Sequence, residues 1–301
     1  MALLIRRYDR SEDYGKVSEF LIRHYQPLNR DGNWLEPIWE YMHSHPALDE
    51  TALNRIGLWE DHGRMVGVVH YESTLGEAFF EFDPEYHHLK TEMLSYAEKE
   101  LCGVSERNGC NFLNIYVNEF DSRFQTLVRD NGYARQIKND RPMSGFDISK
   151  HNLSIELPDG FQITSLQEEP DWEKVHRVLW QGFDHGEVMP LSENDLDERR
   201  KMFVTPKAKL DLKIAVKAPN GEFAAICGMF YEPDGQFALV EPVATVPIYR
   251  RMGLGKAAVL EGIKRCAQLG AKIAYVGSDL DFYKSIGFRV LYTSECWVKE
   301  L

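Results

Sequence analysis

The chain has 301 residues, 44% of them hydrophobic, which is enough for two domains that each bury a core. A formal net charge of −12 and an isoelectric point near 5.4 argue against a nucleic-acid partner, which would call for a basic face. No run of about 18 apolar residues offers a membrane helix, the apolar start before Arg6 is too short for a secretory signal, and five scattered cysteines with no Cys-x-x-Cys pair point to a reduced, cytoplasmic protein.

The first half opens with a short strand, LLIRRY, and a helical pattern, EDYGKVSEFLIRHY. Residues 56–72 read as strand, turn, strand. In 76–101 a strand runs into Pro84-x-Tyr86 and then a helix, and NFLNIYV (111–117) is a further β-rich run. A helix ending in Asn131-Gly132-Tyr133 closes this half. A linker is expected at 147–158, ending in a Pro-Asp-Gly turn.

The second half repeats the order. FQITSL leads to the helix WEKVHRVLWQGF, then 212–232 reads as a hairpin about Asn220-Gly221. Phe237–Val246 is a strand and Leu254–Gln268 a helix with Val259, Ile263 and Cys266 on one face. AKIAYVG (271–277), a helix ending in Ile286-Gly287-Phe288 and a closing strand, VLYTSECWVKE, follow. Pro84 and Tyr86 match Pro247 and Tyr249 at a constant offset. Each half is therefore β-α-β-β-β-α-β-α, and a tandem duplication is the economical explanation. The class is α+β, two domains (1–150 and 157–301) each with a mixed sheet flanked by helices.

Between the strand ending at Val246 and the helix starting at Leu254 lies Arg250-Arg251-Met252-Gly253-Leu254-Gly255-Lys256. A helix N-terminus presents unpaired N–H groups and the positive end of its dipole. Glycines let a phosphate approach the backbone, and arginines add charge-assisted donors. The implied ligand is a pyrophosphate, although the same glycines would also serve a bare tight turn. Gly253-x-Gly255-x-x-Ala258 fits the dinucleotide fingerprint formally, but six residues separate it from its strand and too little chain follows for a doubly wound sheet. The P-loop spacing is absent.

Arg250-x-x-Gly253-x-Gly255 after a strand, with Phe282-Tyr283-x-x-x-Gly287-Phe288 downstream, resembles the GCN5-related N-acetyltransferase (GNAT) superfamily. The resemblance is close over 161–301 and covers 1–150 in layout only. It implies acetyl-coenzyme A as donor, with the pyrophosphate cradled by Arg251, Met252, Gly253, Leu254, Gly255 and Lys256 beside Arg250. It further implies pantetheine on the main chain of Ala244, Thr245 and Val246. Ser278 and Asp279, after the run AKIAYVG, either contact pantetheine or the incoming amine or simply form a turn. Glu241 would be the general base and Tyr283 the acid that protonates the thiolate, while a strand-surface carboxylate and a packed aromatic are the plainer readings of the two.

Pro242, inside a strand, suggests on its own grounds a bulge that bends the strand from AKIAYVG and opens a slot. Asp184 and His185 follow the first helix of this half, either near an acceptor or as a polar loop. Histidine spacing suits no metal, and no cysteine is placed for a covalent intermediate. In the first half the glycine–arginine positions hold His87, Lys90 and Glu92, and Val128 stands at the place of Tyr283, so that half reads as a degenerate copy. The expected protein is a monomeric or homodimeric acetyltransferase acting on a small-molecule amine, with no nucleic-acid or membrane partner and no metal. The alternative is a non-catalytic acyl-coenzyme A sensor or scaffold.

Overall fold

The computed structural model describes residues 3–29 and 32–301. In chain order its elements are β1 (Leu4–Arg7), α1 (Arg10–Arg23), α2 (Glu36–Ser44), β2 (Gly57–Asp61), β3 (Arg64–His70), β4 (Glu77–Phe82), α3 (Lys90–Glu100), β5 (Gly103–Val104), β6 (Asn111–Asn118), α4 (Ser122–Asp130), β7 (Ala134–Arg135) and β8 (Arg141–Asp147). There follow β9 (Gln162–Ser165), α5 (Trp172–Gly182), α6 (Glu193–Phe203), β10 (Lys213–Lys217), β11 (Phe223–Glu232), β12 (Phe237–Thr245), α7 (Leu254–Leu269), β13 (Ile273–Val276), α8 (Asp281–Ile286) and β14 (Arg289–Glu300). The class is α+β, as expected. Two helices stand outside the expected order, α2 and α6. The start of α6 carried a readable signal, since Ser192 and Asp195 form a capping box.

The chain divides into two compact units. One holds the chain up to His43, Ala47–Met143 and Val290–Leu301, and the other holds Ser44–Pro46 and Ser144–Arg289. The closing strand expected for the second half thus belongs to the first unit. There β14 pairs antiparallel with β6, Ser294 opposite Asn118 through Glu300 opposite Phe112. Residues 144–147 of β8 serve the second unit, pairing antiparallel with β13 from Val276/Ser144 to Ile273/Asp147. The change of unit falls at 143/144 rather than in the expected linker at 147–158. Strands adjacent in sequence usually pair with each other; here the longer ladder on β6 overrides that tendency.

In the second unit, β9, β10, β11 and β12 are antiparallel neighbours, and β12 meets β13 in parallel. Ile214 and Val216 of β10, Cys227 and Met229 of β11, and Val240 of β12 point to the α7 side, where Val259, Ile263 and Cys266 of α7 cover them. The predicted apolar face of this helix is thus its buried face. Gly270, at φ 111°, ends it.

Candidate active site

The slot starts where two strands part. Phe237, Ala238 and Leu239 pair with Ile273, Ala274 and Tyr275, after which β12 runs on to Thr245 without β13, paired only with β11. The cause lies on the other edge of β12. Cys227 faces Val243 and Met229 faces Val240, so Glu241 and Pro242 together stand opposite Gly228 alone. This is the bulge expected from Pro242. Gly228 is required there, because a Cβ would lie 2.2 Å from the Glu241 carbonyl oxygen.

The register also sorts the three residues expected to hold pantetheine. Val246 N–H donates to the Ala224 carbonyl at 3.0 Å. In an antiparallel ladder hydrogen-bonded pairs alternate with open ones, so Val246 and Ala244 spend their main chain on β11. Thr245, between them, turns its N–H and C=O away from β11, and Val243 does the same. On this register it is Val243 and Thr245, rather than Ala244 and Val246, whose N–H groups turn away from β11, an orientation that only the pairing register reveals.

Beyond Thr245 the chain makes a turn at Pro247–Tyr249 and enters α7. Gly253 caps the helix at φ 81° with open space on its Cβ side. It frees the backbone for the left-handed region and leaves the N–H groups accessible. Gly255 has a different task, since its Cβ would lie 2.8 Å from Thr245 Oγ1 and 3.3 Å from Phe282, so it brings α7 against the end of β12.

The basic side chains differ as well. Arg250 donates to the carbonyls of Thr245 (3.2 Å) and Gly182 (2.9 Å) and pairs with Asp184 at 3.3 Å. It fastens the turn to the end of α5 instead of reaching outward. Arg251, in the left-handed region at φ 67°, and Lys256 are exposed, and neither pairs with any described residue. Met252, Gly253 and Lys256 border a groove of about 500 Å³ shared with Ser154–Pro158. A pyrophosphate thus fits the cradle through Gly253, Arg251 and Lys256, with Arg250 as its brace.

Tyr283 is buried on α8 against Phe282 and Phe288, at centroid distances of 4.9 and 5.7 Å. Burial, then Cys227 and Glu241, push its hydroxyl well above the ordinary tyrosine range. The hydroxyl therefore stays protonated at neutral pH, and Glu241 is near enough to act on it. Burial likewise raises the thiols of Cys227 and Cys266, the latter up to about 12, which makes those two poor nucleophiles. Ser278 is engaged locally: its carbonyl accepts from Ser144 Oγ at 2.6 Å, and its own Oγ accepts from Leu280 N–H at 3.2 Å. Asp184 is tied to Arg250, and the His185 ring lies 5.3 Å from that of Trp180. Among the described residues no cluster suits a metal ion, and no helix is long and apolar enough to cross a membrane.

Residues 169–288 match the model of the acetyltransferase (GNAT) family. The second unit is a GNAT domain. A GCN5-related N-acetyltransferase from Sphaerobacter thermophilus superposes with a TM-score of 0.64 at 13% identity, over 99% of this chain and 95% of that one. A tandem GNAT protein from the clavulanic acid biosynthesis pathway gives the same TM-score and identity over 99% and 98%. A GNAT-family acetyltransferase from Colwellia psychrerythraea gives 0.56 at 13% identity over both whole chains. At this identity the likeness is one of fold, and it extends the tandem GNAT architecture to the whole chain. A comparison with curated protein sequences found no match.

The first unit keeps the GNAT layout and fills its slot. Here β4 pairs in parallel with β6 only at Glu77 and Ala78. Asp83 N–H bonds to β3 at the Val66 carbonyl, as Val246 does to Ala224, so Phe82 corresponds to Thr245. The open main chain of Phe82 is taken by one side chain. Asn33 donates to its carbonyl and accepts from its N–H, both at 2.9 Å, in a buried position. Next to it, Trp34 N–H donates to Glu81 at 2.6 Å. At the degenerate cradle positions Lys90 pairs with Asp121, Glu92 accepts from Trp59 Nε1 at 3.0 Å, and the His87 ring lies 5.3 Å from that of Phe82. Val128 is fully buried.

Proposed function

We propose that this chain is an N-acetyltransferase that moves an acetyl group from acetyl-coenzyme A to a primary amine by direct attack, using one site, in the second unit. What supports the reading is that Glu241 lies in the bulge where β12 parts from β13 and acts electrostatically on the Tyr283 hydroxyl, with the N–H of Thr245 turned away from β11 and the cradle at Gly253 beyond it. Arg251, Lys256 and the N–H groups of Gly253 to Gly255 would hold the pyrophosphate, and Val243 and Thr245 would pair with pantetheine. The amine nitrogen bonds to the thioester carbonyl carbon as the carbon–sulfur bond breaks. Glu241 accepts the proton the amine loses, and Tyr283 donates one to the departing thiolate.

The acidic surface suits a cationic amine. The test incubates the purified protein with acetyl-coenzyme A and a panel of polyamines, aminoglycosides, amino sugars and peptides with free N-termini, and reads thiol release and acetylated product by mass. Turnover on at least one amine is the expected result. Saturable donor binding with no acetylated product from any of them would favour a sensor or scaffold.

A further inference from the structure

Strand β10 carries a lysine in its interior. Lys213 is fully buried; its Nζ donates to the Met229 carbonyl at 2.9 Å and lies 3.5 Å from the centroid of the Phe230 ring. A carbonyl and a ring face do not offset the desolvation of an ammonium, and a buried charge of this kind is paired with an opposite one or loses its proton.

The sheet register points to the partner. Lys213 stands opposite Gly228 on β11, and Gly228 stands opposite the bulge at Glu241–Pro242 on β12. Since Ile214, Cys227, Met229 and Val240 face α7, strand alternation puts Lys213, Gly228 and the bulge on the other face. Gly228 contributes no side chain to the row between them. Two strand spacings separate the Cα atoms of Lys213 and Glu241, about 10 Å, a span that an extended lysine and a glutamate close together. Both also act on one third group: the Cys227 thiol is raised by burial, Cys266 and Glu241, and lowered by Lys213.

We infer that Lys213 is a positioning residue for Glu241: reaching across Gly228, its ammonium keeps that carboxylate charged and fixed at the mouth of the slot. The inference rests on the reading of Glu241 as the base. Two further titratable groups set against Glu241 are Cys227 of β11 and Tyr283 of α8, both held neutral by burial. Helix α7 turns apolar residues to β12, β13 brings Tyr275 beside Leu239, and His176 of α5 is engaged with the Pro190 carbonyl and Arg199.

The test is a carboxyl-carbon NMR titration of glutamate-labelled protein, with Glu241→Gln identifying the resonance. Lys213→Met and Lys213→Gln should each raise the titration midpoint of Glu241 by about one unit or more, whereas Lys213→Arg should leave it near that of the unaltered protein. One folded neutral variant suffices. An unchanged midpoint in it overturns the inference. The acid limb of kcat/KM should move with the midpoint while the KM for acetyl-coenzyme A stays in place, which a merely structural lysine would not bring about. Full activity in Glu241→Gln would instead remove the base role, and the titration would still decide the pairing.

Discussion

Replacing Glu241 by Gln should lower kcat by about 10²- to 10⁴-fold, the usual range for loss of a general base, with donor affinity little changed. The amide keeps the shape of the side chain beside the bulge, so β12 should still part from β13 at Leu239. What is lost is the acceptor for the amine proton, together with the charge inferred above to face Lys213. Tyr283→Phe is the companion change. It keeps the ring against Phe282 and Phe288 and removes only the hydroxyl, so it too should lower kcat and spare binding. Its signature lies in the leaving group. A donor whose thiol is more acidic needs less protonation on departure, so the deficit of Tyr283→Phe should shrink with such a donor while that of Glu241→Gln persists. Steady-state kinetics on both donors checks this. Equal deficits on both would take the acid role from Tyr283.

A chain ending at Arg289 should lose the cooperative fold of its first unit. Twelve residues would be missing, and with them the strand that covers β6 from Phe112 to Asn118. Trp297 and Cys296 are buried in place, and deleting a buried tryptophan side chain alone costs about 3–5 kcal/mol. That is a large share of the 5–15 kcal/mol by which domains are usually stable. The newly bared edge of β6 would also be prone to pair with other chains. Hydrogen exchange should show the amides of β6 unprotected in the shortened chain, and gel filtration should show association. Unaltered protection would mean that β14 is dispensable to the first unit.

The strand–turn–helix from Phe237 to Gln268 was legible because each step has its own local chemistry. A β-branched run, a proline in a strand, glycines at a helix start and an apolar helical stripe each constrain the backbone within a few residues. The degeneracy of the first half was legible for the same reason, in His87, Lys90 and Glu92. Its cause was not. Asn33 lies in a loop, and nothing local says that its amide occupies the main chain of Phe82, far along the sequence. The placement of β14 was hidden likewise, because alternation fixes which residues face inward but not which strand lies alongside. Nothing local distinguishes Lys213 from any other charge at a strand end; only the row through Gly228 gives it a direction. The choice of Val243 and Thr245 over Ala244 and Val246 depends on a single ladder bond, from Val246 to Ala224.

The filled slot of the first unit and the open one of the second lead to one number, which calorimetry reads directly. Acetyl-coenzyme A titrated into the full chain should bind at one site per chain. Arg251→Ala should weaken that site by about 1.5–3 kcal/mol, roughly 10- to 150-fold, as expected for a charge-assisted contact to phosphate. Two sites per chain, or no binding at millimolar donor, would contradict a single donor site in the second unit.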